Sequence, residues 1–99
     1  MIVVHIEHFL NEEGRHHFEE WVAEVAQTLR NFEGFISISI LEELPPKNES
    51  HLLLTFENER LLKKWANSKE HDDLISKLKP YQNRKQVSDI FKQTKKIKK

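Results

Sequence analysis

The sequence of 99 residues predicts one α+β domain with the element order β-α-β-β-α-β, and three observations carry that reading. Short apolar or alternating runs at 2–10, 35–44 and 51–57 mark strands. An apolar stripe of helical period occupies 12–32. Gly34, the pair Pro45-Pro46, and Pro80 punctuate the joins between these segments.

The first strand, IVVHIEHFL at 2–10, is rich in β-branched and aromatic residues. Alternation puts Ile2, Val4, Ile6 and His8 on one face, and Val3, His5, Glu7 and Phe9 on the other. Asn11 is a good helix cap, and Glu12 and Glu13 suit the positive end of the helix it opens. Phe18, Trp21, Val22, Val25, Leu29 and Phe32 then follow the spacing of one buried helix face. Gly34 is placed to end this helix in a left-handed conformation.

FISISILEEL at 35–44 sets Ile36, Ile38 and Ile40 against Ser37 and Ser39, and PPKNES turns the chain back into HLLLTFE at 51–57. Asn58 can cap a short helix carrying Leu61, Leu62 and Trp65, and Ser68 another carrying Leu74, Ile75 and Leu78. A last strand is expected around Val87–Phe91. With no internal repeat and no linker, residues 1–92 read as one domain, followed by a lysine-rich tail at 93–99.

This is the ferredoxin-like arrangement, a four-stranded antiparallel sheet whose helices cover a single face. The first strand is mainly apolar on both faces, so the second face calls for a cover. In a chain this short the expected cover is the same sheet of a second copy, a symmetric homodimer.

Composition closes off several function classes. Zero cysteines exclude disulfides, thiolate nucleophiles and zinc–thiolate sites, and fit a cytoplasmic location. Two glycines are too few for a Rossmann fingerprint or a P-loop, and no G-x-S-x-G elbow occurs. No apolar run is long enough to span a membrane, and the N-terminus lacks the basic start of a signal peptide. The net charge of +0 hides a split: three basic and ten acidic side chains up to residue 50, thirteen and six after it. Five of the late basic residues are lysines between Lys92 and Lys99. The first 90 residues hold eleven basic against sixteen acidic side chains, so no basic face backs the tail, and neither nucleic acid nor a membrane is an expected partner.

Two stretches carry a family resemblance: EGF at 33–35, opening the second strand, and HLLLTFENERLLKKWANSKEH at 51–71. The second holds an apolar strand, a helix with a tryptophan, then a small residue and a histidine opening the next helix; Trp65, Ser68 and His71 occupy those places. In this the chain resembles the antibiotic biosynthesis monooxygenase family, over roughly residues 1–92, which implies a dimeric α+β barrel. The family includes cofactor-free oxygenases, haem-degrading enzymes, isomerases of small signals and members of unknown role. The resemblance implies a cofactor-independent monooxygenase that takes a small aromatic or quinol-type substrate and dioxygen. Such chemistry needs a dry apolar pocket, a proton acceptor and hydrogen bonds that hold the substrate. A binding or regulatory module without turnover, and a cofactor-free isomerase, are the alternatives on the same fold.

Six residues are candidates for that site. His71 lies on the buried stripe of its helix with Leu74, Ile75 and Leu78, and reads either as a core histidine or as the group that takes a phenolic proton. Glu7 is a second candidate for proton transfer, or an ordinary ion-pairing strand residue. Trp65, which the resemblance places at the pocket wall, is expected to bind substrate together with His5, Phe9 and Phe56. His51 follows on the strand that neighbours the first, within reach of His5 or His8, but no carboxylate–histidine spacing signature points to a metal there. His16 and His17 project about 100° apart on a helix and read as solvated. The haem-degrading branch carries its iron-binding histidine ten residues after the tryptophan; here that place is Ile75, and Glu7 stands where that branch has asparagine, so haem cleavage is not expected.

Overall fold

The computed structural model describes residues 1–99. The elements are β1 (Ile2–Leu10), α1 (Glu12–Leu29), β2 (Phe35–Leu41), β3 (Ser50–Phe56), α2 (Glu59–Ala66), α3 (Lys69–Leu78) and β4 (Gln82–Lys92), with a 3-10 turn at Lys79–Tyr81 between the last two. The four strands form one antiparallel sheet in the order β2-β3-β1-β4. This is the ferredoxin-like α+β fold, with the helices on one face of the sheet.

The caps fall where the side chains predict them. Asn11 accepts a hydrogen bond from the Gly14 amide at 2.8 Å, Asn58 from Leu61 at 2.9 Å and Ser68 from His71 at 3.1 Å, each satisfying an amide that the first helical turn leaves without a partner. Three boundaries differ from the sequence reading. α1 stops at Leu29, and its last turn loosens into three-residue bonds, Thr28 O to Asn31 N and Leu29 O to Phe32 N. Gly34 therefore does not terminate the helix. Its φ of +87° swings the chain into β2, and a β-carbon there would stand 2.5 Å from the Leu61 Cδ1. β2 ends at Leu41, ahead of the prolines. β4 starts at Gln82, well before the apolar run, because its polar residues continue to pair with β1 as far as Gln82↔Leu10. Ladder hydrogen bonds recruit residues that side-chain pattern alone would leave out.

Strand register divides the sheet into two faces. Opposed residues share a face, so Ile2↔Phe56, Val4↔Leu54 and Ile6↔Leu52 point toward the helices. All but Ile6, which is partly buried and packs against them, join Phe18, Trp21, Val22, Val25 and Leu29 of α1 and Trp65 of α2 in one cluster of 16 buried apolar residues. Val3↔Phe91, His5↔Asp89 and Glu7↔Val87 occupy the other face, where Phe91 and Val87 are exposed and His5, Glu7 and Phe9 half-buried. That outer face is mixed in character, with charged and imidazole groups among its apolar ones. Residues 93–99 are exposed and lie outside helix and strand.

Candidate active site

A cavity of about 60 Å³ opens between the helix-side face of the sheet and the helices. Nine of its thirteen lining residues are hydrophobic, and its polar groups are few: His8, His71, Gln86 and Ser88. The sheet contributes Ile6 and His8 from β1, Ile38 from β2, and Leu52 and Leu54 from β3; α1 contributes Trp21 and Val25. One water needs roughly 10–15 Å³ of such space, so the cavity admits several waters or a very small molecule as it stands.

His8 is the most constrained polar group of this wall. Period-two alternation carries it to the helix side of β1, where it is 1% exposed. Its ring lies 5.6 Å from that of Phe18 and 5.5 Å, edge to face, from that of Trp21. Neither Nδ1 nor Nε2 has a hydrogen-bond partner. Burial disfavours the imidazolium and pushes the His8 pKa down to about 4. The ring is thus neutral at pH 7, with one donor and one acceptor nitrogen unused.

His71 enters the wall from the first turn of α3, with its amide held by the Ser68 hydroxyl. Its ring stands perpendicular to the Trp65 indole, with centroids 5.3 Å apart. The His71 Nδ1 is enclosed without a hydrogen-bond partner, and the nearest carboxylate oxygen, from Asp72, lies 3.7 Å away, beyond hydrogen-bond reach. Trp65 is buried between this imidazole and Phe32, whose ring meets it at 4.9 Å. Trp21 donates from Nε1 to the Leu74 carbonyl at 2.9 Å, which ties α1 to α3 behind the cavity.

Of the six residues singled out from the sequence, the cavity gathers Trp65 and His71. His5, Glu7 and Phe9 face away from it, on the outer side of the sheet. There His5 Nε2 meets His51 Nδ1 at 2.9 Å, and Phe9 lies under the Arg84 guanidinium, 3.8 Å from the ring centroid. Phe56 is fully buried beside Phe35, outside the cavity lining. His8, Trp21, Gln86 and Ser88 line the cavity without having been singled out. For His8 the signal was present, since it shares its alternation face with Ile2, Val4 and Ile6.

A helix-backed antiparallel sheet enclosing an apolar cavity with two imidazoles in its wall defines a compact α+β pocket protein. The chain belongs to the antibiotic biosynthesis monooxygenase family, whose model matches residues 1–77. Solved structures share the fold at low identity. A Deinococcus radiodurans protein proposed to be an antibiotic biosynthesis monooxygenase is 15% identical, with a TM-score of 0.86 over 99% of this chain and 97% of its own. A conserved protein from Methanosarcina mazei Go1 is 16% identical, with a TM-score of 0.82 over 94% and 92%. SnoaB, a cofactor-independent oxygenase from Streptomyces nogalater, is 13% identical, with a TM-score of 0.79 over 99% and 98%. Among curated proteins no sequence matches this chain.

Proposed function

We propose that this chain is a cofactor-independent monooxygenase that oxidises a small phenolic or quinol-type substrate with dioxygen, working as a homodimer. The observation that carries the reading is the pair of imidazoles, His8 and His71, with unpartnered ring nitrogens on the wall of a mainly apolar cavity. Buried polar atoms without partners are rare and call for a ligand or a water. Family membership and the likeness to a cofactor-independent oxygenase support the same reading.

The two imidazoles suit different tasks. A histidine with a pKa of about 4 is a weak proton acceptor, so His8 is assigned to hydrogen-bond and orient a substrate oxygen. His71 takes the phenolic proton. The resulting phenolate passes one electron to dioxygen, and the phenoxyl and superoxide radicals combine into a new carbon–oxygen bond. His71 returns its proton to the peroxide, and loss of water from the resulting hydroperoxide leaves a quinone, so one oxygen atom enters product and the other leaves as water. Trp65, Trp21 and the aliphatic wall keep bulk water from the radical pair.

A benzene-sized guest fills a cavity of about 150 Å³, so a one-ring phenol needs the wall to give way. Ile6, Ile38 and Ile75, all only partly buried, are the aliphatic wall residues best placed to give way. The same small volume favours the second reading, a binding module for a small ligand without turnover.

Oxygen uptake measured against a panel of phenols and naphthols tests the proposal. Turnover lost in His71→Ala and kept in His16→Ala supports it. Ligand-dependent thermal stabilisation without oxygen uptake favours the binding module. Solvent-proton exchange into product without oxygen uptake favours an isomerase.

A further inference from the structure

The outer face of the sheet brings together metal-ligating side chains that no spacing in the sequence connects. Glu7 on β1 and His51 on β3 are directly opposed across the ladder. Glu43 reaches the same point from the segment after β2, where its Oε1 lies 2.7 Å from the His51 Nε2. One ligand atom from each of these three residues can be chosen so that all lie within 4.8 Å of one another. We propose that Glu7, Glu43 and His51 form a binding site for a divalent transition-metal ion such as Zn²⁺, with His5 as the positioning residue for His51.

The set has the right chemistry and is largely arranged in advance. One imidazole and two carboxylates suit a borderline divalent ion that keeps an open position for water. Ligand atoms about 2.0–2.2 Å from such an ion in tetrahedral geometry stand about 3.3–3.6 Å from each other, so small side-chain adjustments close the site. His51 is buried, and its ring is stacked on His5 with centroids 5.1 Å apart and planes 12° apart. The His5 Nε2 lies 2.9 Å from the His51 Nδ1, which is the outer hydrogen bond that a metal-binding histidine needs on its second nitrogen. The His51–Glu43 contact requires a proton between nitrogen and oxygen. A metal ion takes the place of that proton: the His51 proton moves to Nδ1 and is donated to the His5 Nε2, while the proton His5 held on Nε2 moves to its own Nδ1.

The competing occupant is Lys47, whose Nζ stands 3.3 Å from the other Glu43 oxygen. The lysine side chain is 62% exposed, so it can swing away at little cost. The three ligands belong to one chain and lie across the sheet from the cavity. The site therefore stands apart from the oxygenase reading.

Calorimetric titration of the chelator-stripped full chain with Zn²⁺, and visible absorption with Co²⁺, test the proposal. One ion per chain is expected, bound at micromolar concentration or tighter. Glu43→Gln and Glu7→Gln, at half-buried positions that keep their shape, are each expected to weaken binding at least tenfold, and His51→Ala to abolish the Co²⁺ band. His5→Ala should weaken binding by about 10–100-fold, with partial rescue by His5→Gln, which restores an acceptor. His16→Ala and His71→Ala should bind as the unmodified chain does. Absence of binding at 1 mM Zn²⁺, or full binding in a folded Glu43→Gln, Glu7→Gln double variant, would overturn the assignment.

Discussion

The Trp65 and His71 rings meet edge to face, their centroids 5.3 Å apart and their planes 88° apart. The tryptophan lies near the end of α2 and the histidine in the first turn of α3, with Ser68 between them capping the second helix. The Ser68 hydroxyl also donates to the Trp65 carbonyl at 2.7 Å. One serine thus fixes both the turn and the angle at which the two side chains enter the cavity.

Ser68→Ala is expected to lower stability by about 1 kcal/mol through loss of the cap, and to lower oxygenase turnover further than that loss explains. Urea unfolding and oxygen uptake, measured on one preparation, separate the two effects. Ser68→Thr, which keeps the hydroxyl, should recover most of both.

His71→Ala should lose at least a hundredfold in turnover if its imidazole takes the proton, while His71→Gln keeps the shape without the base and should fare little better. Trp65→Phe is expected to retain part of the activity and to raise KM more than it lowers kcat. Equal turnover in His71→Ala and the unmodified chain would remove His71 from the mechanism.

His8 makes stability depend on pH with a definite sign. Its folded pKa of about 4 lies below the ordinary 6.5, so the unfolded chain binds the extra proton first as pH falls. The contribution to stability is fully present above pH 6.5 and is lost progressively between 6.5 and about 4. The loss is on the order of 3 kcal/mol. Denaturant midpoints measured across that window should fall for the unmodified chain and fall less for His8→Gln.

Gly34→Ala is expected to destabilise by about 1–3 kcal/mol. A side chain at φ +87° is strained, and the added carbon would collide with Leu61. Thermal unfolding should show it, and Leu61→Ala in the same background should recover only a part, since the Leu61 Cβ, 2.9 Å from the added carbon, and the strained φ both remain.

The pairing of two copies is checked by light scattering at micromolar concentration. A dimer is expected, and Phe91→Glu, on the outer face, should shift it toward monomer.

Much of the fold is legible in the sequence because its signals are local. Asn11, Asn58 and Ser68 cap helices through side chains three residues from the amides they satisfy, and the α1 stripe follows from a fixed period. β4 is less legible, since QNRKQ carries no strand pattern and is recruited only by β1. The site divides in the same way. Trp65 and His71 lie in one short stretch, whereas Gln86 and Ser88 reach the cavity through strand order. His5, Glu7 and Phe9 follow their alternation to the face away from the cavity, and the apolar neighbours of His8 marked the face toward it.

The family match ends at residue 77, yet Gln86 and Ser88 on β4 form part of the cavity wall. The strand at the sheet edge thus completes the wall from outside the matched segment, joined to the rest of it through its pairing with β1. Grafting residues 82–92 from another protein of this fold would exchange two polar wall groups and leave both imidazoles and both tryptophans in place. Such a graft is expected to shift which small molecules the cavity accepts.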